Sequence, residues 1–152
     1  MERAEKKIEL VNNAIEINND RIAGYEKACE IIQDTDMPEL VTLFRQYQAQ
    51  SEQFIAELRP FVTAYGVNPT EGTMLSGKFF RLWMDIKSMV APSSAKAVLQ
   101  SCEKGEDEFR NAYKELNEEA FEKYPDIVQI LQAQTALQDG AHVHIKELRD
   151  AQ

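Results

Sequence analysis

One pattern constrains this chain more than any other: apolar residues recur in alternating steps of three and four along segments several heptads long. The first runs Ile8, Val11, Ile15, Asn18, Ile22, Tyr25, Cys29, Ile32. The second runs Leu40, Phe44, Tyr47, Ser51, Phe54, Leu58, Phe61, Tyr65. Two more follow, one through Leu99, Cys102, Glu106, Phe109, Tyr113 and Leu116, the other through Ile127, Ile130, Gln134, Leu137, Ala141, Ile145 and Leu148. That period lays one apolar stripe along an α-helix, whereas a strand would scatter the same residues over both faces. A helix with one apolar stripe must bury it against other helices, so four of them make a bundle.

The punctuation between the runs sets the order of the helices. Asp34-Thr35-Asp36 stops the first, and Asp36, Pro38 and Glu39 read as the N-cap, first turn and capping-box position of the second. Pro60 falls inside the second run and is expected to kink the helix or end its regular part early. Residues 66–72 are a loop by composition, and a shorter amphipathic helix is expected over about residues 74–90. Ser94 then caps the third helix, and the fourth begins near Pro125. The connection between helices 2 and 3 is roughly 30 residues long, which lets them run parallel instead of forming a hairpin. The expected architecture is all-α: a single ferritin-like four-helix-bundle domain over residues 1–152, with an extra short helix in that long connection.

Charge narrows the partners. With 17 basic and 26 acidic residues the chain carries a net charge of −9, which repels phosphate backbones and anionic lipid, so neither nucleic acid nor membrane is an expected partner. The opening MERAEKKIEL lacks the apolar core of a signal peptide, and no apolar run reaches the ~18 residues of a spanning helix. Cys29 and Cys102 sit far apart in helical patterns and read as reduced core residues. The expected compartment is the cytoplasm.

The polar exceptions in the apolar seams carry the most information. If two hairpins turn near residues 36 and 121, Asn18 and Ser51 lie at similar heights, with Gln48 one turn further out. Glu106 then faces the level bracketed by Gln134 and Gln138, and Arg21, one turn from Asn18, is the counter-charge within reach. Asn18, Arg21, Gln48, Ser51, Glu106, Gln134 and Gln138 therefore form a buried polar layer at mid-bundle. Ferritin-like bundles hold a dinuclear metal site at that level, built from four carboxylates and two Glu-x-x-His motifs. Here Glu9, Glu16 and Asp20 fall opposite the seam, Glu106 is the one central carboxylate, and Glu-x-x-His does not occur. No cofactor is expected on that count. Glu106 remains the candidate if a divalent metal such as iron binds, with Gln134, Gln138, Glu103 or Asp107 assisting.

Other chemistry has little to start from. His142 and His144 are two apart on a helix and point about 160° from one another, His142 toward the flank and His144 toward the core side, so they do not chelate together. Asp139 and His142 have the spacing of a metal pair but sit off the seam centre. No glycine-rich phosphate loop or nucleophile–base pattern is present. Phe80, Trp83 and Met84 give the connecting helix a second apolar face, which points to a homo-oligomer and specifically a dimer.

Four stretches carry a resemblance: Ile15 to Ala28 with its Asn18-Asn19-Asp20-Arg21 core, Leu75 to Lys87, Cys102 to Asp107 with Gly105-Glu106-Asp107, and Ala141-His142 leading to Asp150. On these the chain resembles a bacterial family of ferritin-like four-helix-bundle proteins catalogued as domain of unknown function 2383. The resemblance implies the ferritin-like fold, a bacterial cytoplasmic setting and, by analogy of architecture, stress physiology; it supplies no catalytic residues. Two function classes stay open. One is a non-enzymatic structural or interaction protein. The other is a metal-binding ferritin-like protein with a degenerate mid-bundle site around Glu106.

Overall fold

No proline interrupts the first apolar run, and it forms one helix of 31 residues, α1, Glu2–Ile32. The computed structural model describes residues 2–33, 37–70 and 95–151. Three further helices follow: α2, Pro38–Thr63; α3, Ala95–Ala120; and α4, Pro125–Asp150. There is no strand among the described residues. The short helix expected at 74–90, with Phe80, Trp83 and Met84, lies outside the described residues, as do Asp36 and Ser94.

Two local expectations change. The N-cap of α2 is Met37, with φ −132° and ψ 64° and no side-chain cap bond, and Pro38 occupies the first turn. Tyr124 and Pro125 repeat the arrangement at α4. A proline there has no N–H to satisfy, so the end loses less by going without a polar cap. Pro60 does not end α2, which continues to Thr63. Its missing N–H would have reached the carbonyl of Ala56, an exposed residue, so the loss falls at a solvent-facing position close to the helix end. Gly66, at φ +75°, then turns the chain. Thr70 lies against α1, its N–H bonding Asn12 Oδ1 at 3.2 Å and its hydroxyl Glu16 Oε1 at 3.1 Å.

α1 packs on α2, α3 on α4, α1 on α3 and α2 on α4. Pairings along each contact fix the directions. Asn18 meets Tyr113 while Arg21 meets Glu106, so α1 and α3 are antiparallel. Tyr47 meets His144 while Gln134 meets the Phe54 carbonyl, so α2 and α4 are antiparallel too. Since α1 and α2 form a hairpin, α2 and α3 run parallel. That is the arrangement a long connection between them permits. The interior holds most of the four seams, with the aromatic side chains Tyr25, Phe44, Phe54, Phe109 and Tyr113 all buried, whereas the expected seam residues Tyr65 and Leu137 are exposed. Cys29 and Cys102 are free and buried. No helix among the described residues is long and apolar enough to cross a membrane.

Candidate functional site

At the middle of this apolar interior lies a fully buried ion pair. Arg21 from α1 and Glu106 from α3 both have 0% of their side chains exposed. Arg21 Nε donates to Glu106 Oε1 at 2.6 Å and Nη2 donates to Oε2 at 3.1 Å, a two-pronged fit of guanidinium to carboxylate. Nη1 donates to Gln50 Oε1 at 2.8 Å and to Ser51 Oγ at 3.1 Å, both on α2. The guanidinium carbon also lies 5.7 Å from the ring centres of Tyr25 and Tyr47 and 5.2 Å from that of Phe109. Removing two ions from water costs several kcal/mol each, and only geometry of this quality with full hydrogen bonding offsets it. Burial pulls the Arg21 pKa down, but the opposing Glu106 carboxylate, aided by Tyr25, holds it above its ordinary value.

Glu106 has a second partner on α1 and one on α4 as well. Its Oε1 accepts from the Tyr25 hydroxyl at 2.8 Å, and Gln138 Nε2 on α4 donates to its Oε2 at 2.8 Å and to its backbone carbonyl at 3.0 Å. Below this tier sits another. Asn18 Nδ2 donates to the Tyr113 hydroxyl at 2.7 Å, which donates to Gln134 Oε1 at 2.6 Å. Gln134 Nε2 reaches the Phe54 carbonyl at 3.2 Å and Glu57 Oε1 at 3.0 Å. Phe109 stacks on Tyr113 at 4.4 Å between the tiers. Gln48 lies one turn above, its Nε2 donating to the Ile22 carbonyl at 2.9 Å. All seven residues of the expected layer are buried, and they occupy two tiers and an outlier instead of a single plane.

The sequence reading missed Tyr25, Tyr113 and Gln50 as members of the network, and separately the burial of Asp20. Asp20, expected on the outer face of α1, has 0% exposure. Leu10, Ile17 and Ala28 on that side are buried too, so α1 is covered over a wider arc than its seam. Tyr25 and Tyr113 looked like apolar seam residues, because periodicity does not say where a hydroxyl lands. Gln50 is off the seam and is drawn in by the length of the Arg21 side chain.

The phenols of the layer and the neighbouring Cys102 thiol are not ready nucleophiles near neutral pH. Burial and the neighbouring Glu106 push the Tyr25 phenol and the Cys102 thiol well above their ordinary values, and Tyr47 rises to about 12 for the same two reasons. Burial also raises Tyr113. Those groups stay protonated. Asn18 Oδ1 and Gln138 Oε1 are buried with no hydrogen-bond partner, so the network is not fully satisfied.

The histidines part company, as their spacing requires: His142 lies on a flank as expected, while His144, expected toward the core side, is exposed. The His144 Nδ1 lies 3.2 Å from the Tyr47 hydroxyl. His142 is the more covered, and its Nε2 lies 2.5 Å from Asp107 Oδ1 on α3. Glu103 and Asp107 do not approach the interior with Glu106; they gather with His142 on the α3–α4 flank. Asp139, the other partner considered for His142, is paired with Arg110 at 2.5 Å. A groove of about 670 Å³ runs along the outside of α3 and α4, past Lys114, Phe121, Val128 and Thr135, and none of the polar-layer residues line it.

Residues 6–119 match the family model described as Domain of unknown function (DUF2383). No significant match is found among curated proteins or among solved structures.

Proposed function

We propose that this chain, which belongs to the DUF2383 family, is a non-enzymatic bundle that acts as a structural or interaction protein, its mid-bundle layer serving to fix the packing of the helices. One observation carries this reading: the central cation is part of the chain. Arg21 lies bidentate on the sole carboxylate of the layer that sits among the seam residues, and four donor contacts and three aromatic faces surround its guanidinium. A metal ion at Glu106 would have to displace that guanidinium, whose hydrogen bonds among the described residues run to Glu106 and to the neutral side chains of Gln50 and Ser51. Gln134 and Gln138 would bring only amide oxygens, weak ligands for a divalent ion that must give up its water.

The setting proposed with it is bacterial, cytoplasmic and stress-related, with the chain as a homodimer. What supports the setting is the resemblance carried by the Asn18–Arg21 and Gly105–Asp107 segments. What supports association is the exposure of two large apolar side chains, Phe121 and Leu137, at 61% and 59%.

The test is an iron one. Untagged protein is given Fe(II) anaerobically and oxidation is followed on admitting air. The expected result is a rate equal to buffer in both wild type and Glu106→Gln. Stoichiometric iron that is lost in Glu106→Gln but kept in His142→Gln, with oxidation faster than buffer, would overturn the reading and restore a mid-bundle metal site. Light scattering on the eluting peak should give twice 17.4 kDa, and a clean monomer removes the dimer.

A further inference from the structure

Among the described residues outside the polar layer, one group of side chains has the composition and convergence of a ligand set. Glu103 and Asp107 are one turn apart on α3, which places their carboxylates on the same face. α4 brings His142 beside them, so that one atom from each of the three lies within 4.8 Å of the others. We propose that Glu103, Asp107 and His142 bind a divalent transition-metal ion of the Zn(II) class on the α3–α4 flank.

The state of the imidazole points to a ligand. Its Nε2 is covered from solvent and makes no hydrogen bond, although Asp107 Oδ1 stands 2.5 Å away. That separation is shorter than an ordinary N–H···O bond, and the approach is not along the direction in which a ring N–H would donate. Two electron-pair donors this close share a positive centre, either a proton on the imidazole or a bound cation, and the poor alignment for an N–H donor favours the cation. Bonds of about 2.0–2.2 Å to zinc would set the ligand atoms of one tetrahedral ion about 3.4 Å apart. The short His142–Asp107 contact opens to that value and the 4.8 Å spread closes to it, both within the reach of side-chain rotation.

The donor types select the metal. One imidazole with two carboxylates suits zinc and its first-row neighbours, while calcium and magnesium favour all-oxygen sets. Asp107 is half exposed, 51% at the side chain, so an ion can enter and keep water in its remaining position. Arg149 is the competitor. It is ion-paired with Glu103, and it also holds Asp150 Oδ1 at 2.7 Å. Binding of the metal transfers Arg149 fully to Asp150.

The site does not depend on the polar layer, and the test keeps the two apart. Full-length untagged chain is titrated with Zn(II) alone against a chromophoric chelator, with helix content checked by circular dichroism. Wild type is expected to take one ion saturably, undiminished by excess Mg(II). Asp107→Asn and His142→Gln should each weaken binding by at least about tenfold, and Arg149→Ala should tighten it severalfold by releasing Glu103. Asp107→Asn replaces an exposed side chain with its isostere, so it decides the matter even where His142→Gln fails to fold. No saturable zinc in wild type, or binding unchanged by both substitutions, overturns the site.

Discussion

At the scale of single residues, the interior is set up to hold protons. The Tyr25, Tyr47 and Tyr113 phenols are all raised, chiefly by burial, with Glu106 adding to the first two. Burial raises the Cys29 and Cys102 thiols as well. In the unfolded chain these groups ionise near their ordinary values, about 10 for tyrosine and about 8.5 for cysteine. Above that range the folded state therefore binds more protons than the unfolded one, and stability falls as pH rises. The expected profile of the urea midpoint is flat through neutrality and drops between about pH 9 and pH 11. Tyr47, reaching about 12, places the end of the decline beyond that window. A midpoint that holds steady to pH 11 would mean that these hydroxyls are not held in the interior as described.

Elements add constraints that single residues do not show, and two glycines separate them. Gly140 sits inside α4 on an exposed position, and a Cβ built there meets nothing within 4 Å. Gly140→Ala should stabilise the protein by about 1 kcal/mol, the propensity difference in a helix interior. Gly66 likewise has open space around it, but its φ is +75°. The same substitution there should cost about 1 kcal/mol through the backbone alone. Paired thermal melts of the two variants should shift in opposite directions, and shifts of one sign would contradict the described turn after α2. The helices themselves were legible from the sequence because each seam is long and its breaks are strong. The polar positions Asn18, Ser51, Glu106 and Gln134 stood out for the same reason, as isolated interruptions of an apolar stripe. Asp20 did not, since its burial depends on what covers the back of α1. The grouping of Glu103 and Asp107 with His142 was equally out of reach, because it depends on the register between α3 and α4. Periodicity within each helix says nothing about that register.

For the whole molecule, the polar network matters by where it connects. Arg21 joins α1 to α3 through Glu106 and to α2 through Gln50 and Ser51. Gln138 joins α3 to α4, and Gln134 joins α4 to α2. Every neighbouring pair of helices is tied at least once near mid-height, so a slip of any helix by one turn would leave a buried polar group without its partner. Apolar seams alone would not penalise such a slip, because leucine-like surfaces match at several registers. This account separates two kinds of substitution. Glu106→Gln leaves the Arg21 charge buried and uncompensated, and should cost about 3–5 kcal/mol in urea unfolding. Arg21→Met with Glu106→Leu removes both charges together, and should be no less stable than wild type. The specificity role is then read from a different observable. The double variant should keep its helix content while its amide NMR spectrum broadens or doubles, because alternative registers become nearly equal in energy. A double variant with a single sharp spectrum would show that loop lengths and apolar shape already fix the packing. The buried pair would then have no part in choosing the register, and the layer would need another reason to exist.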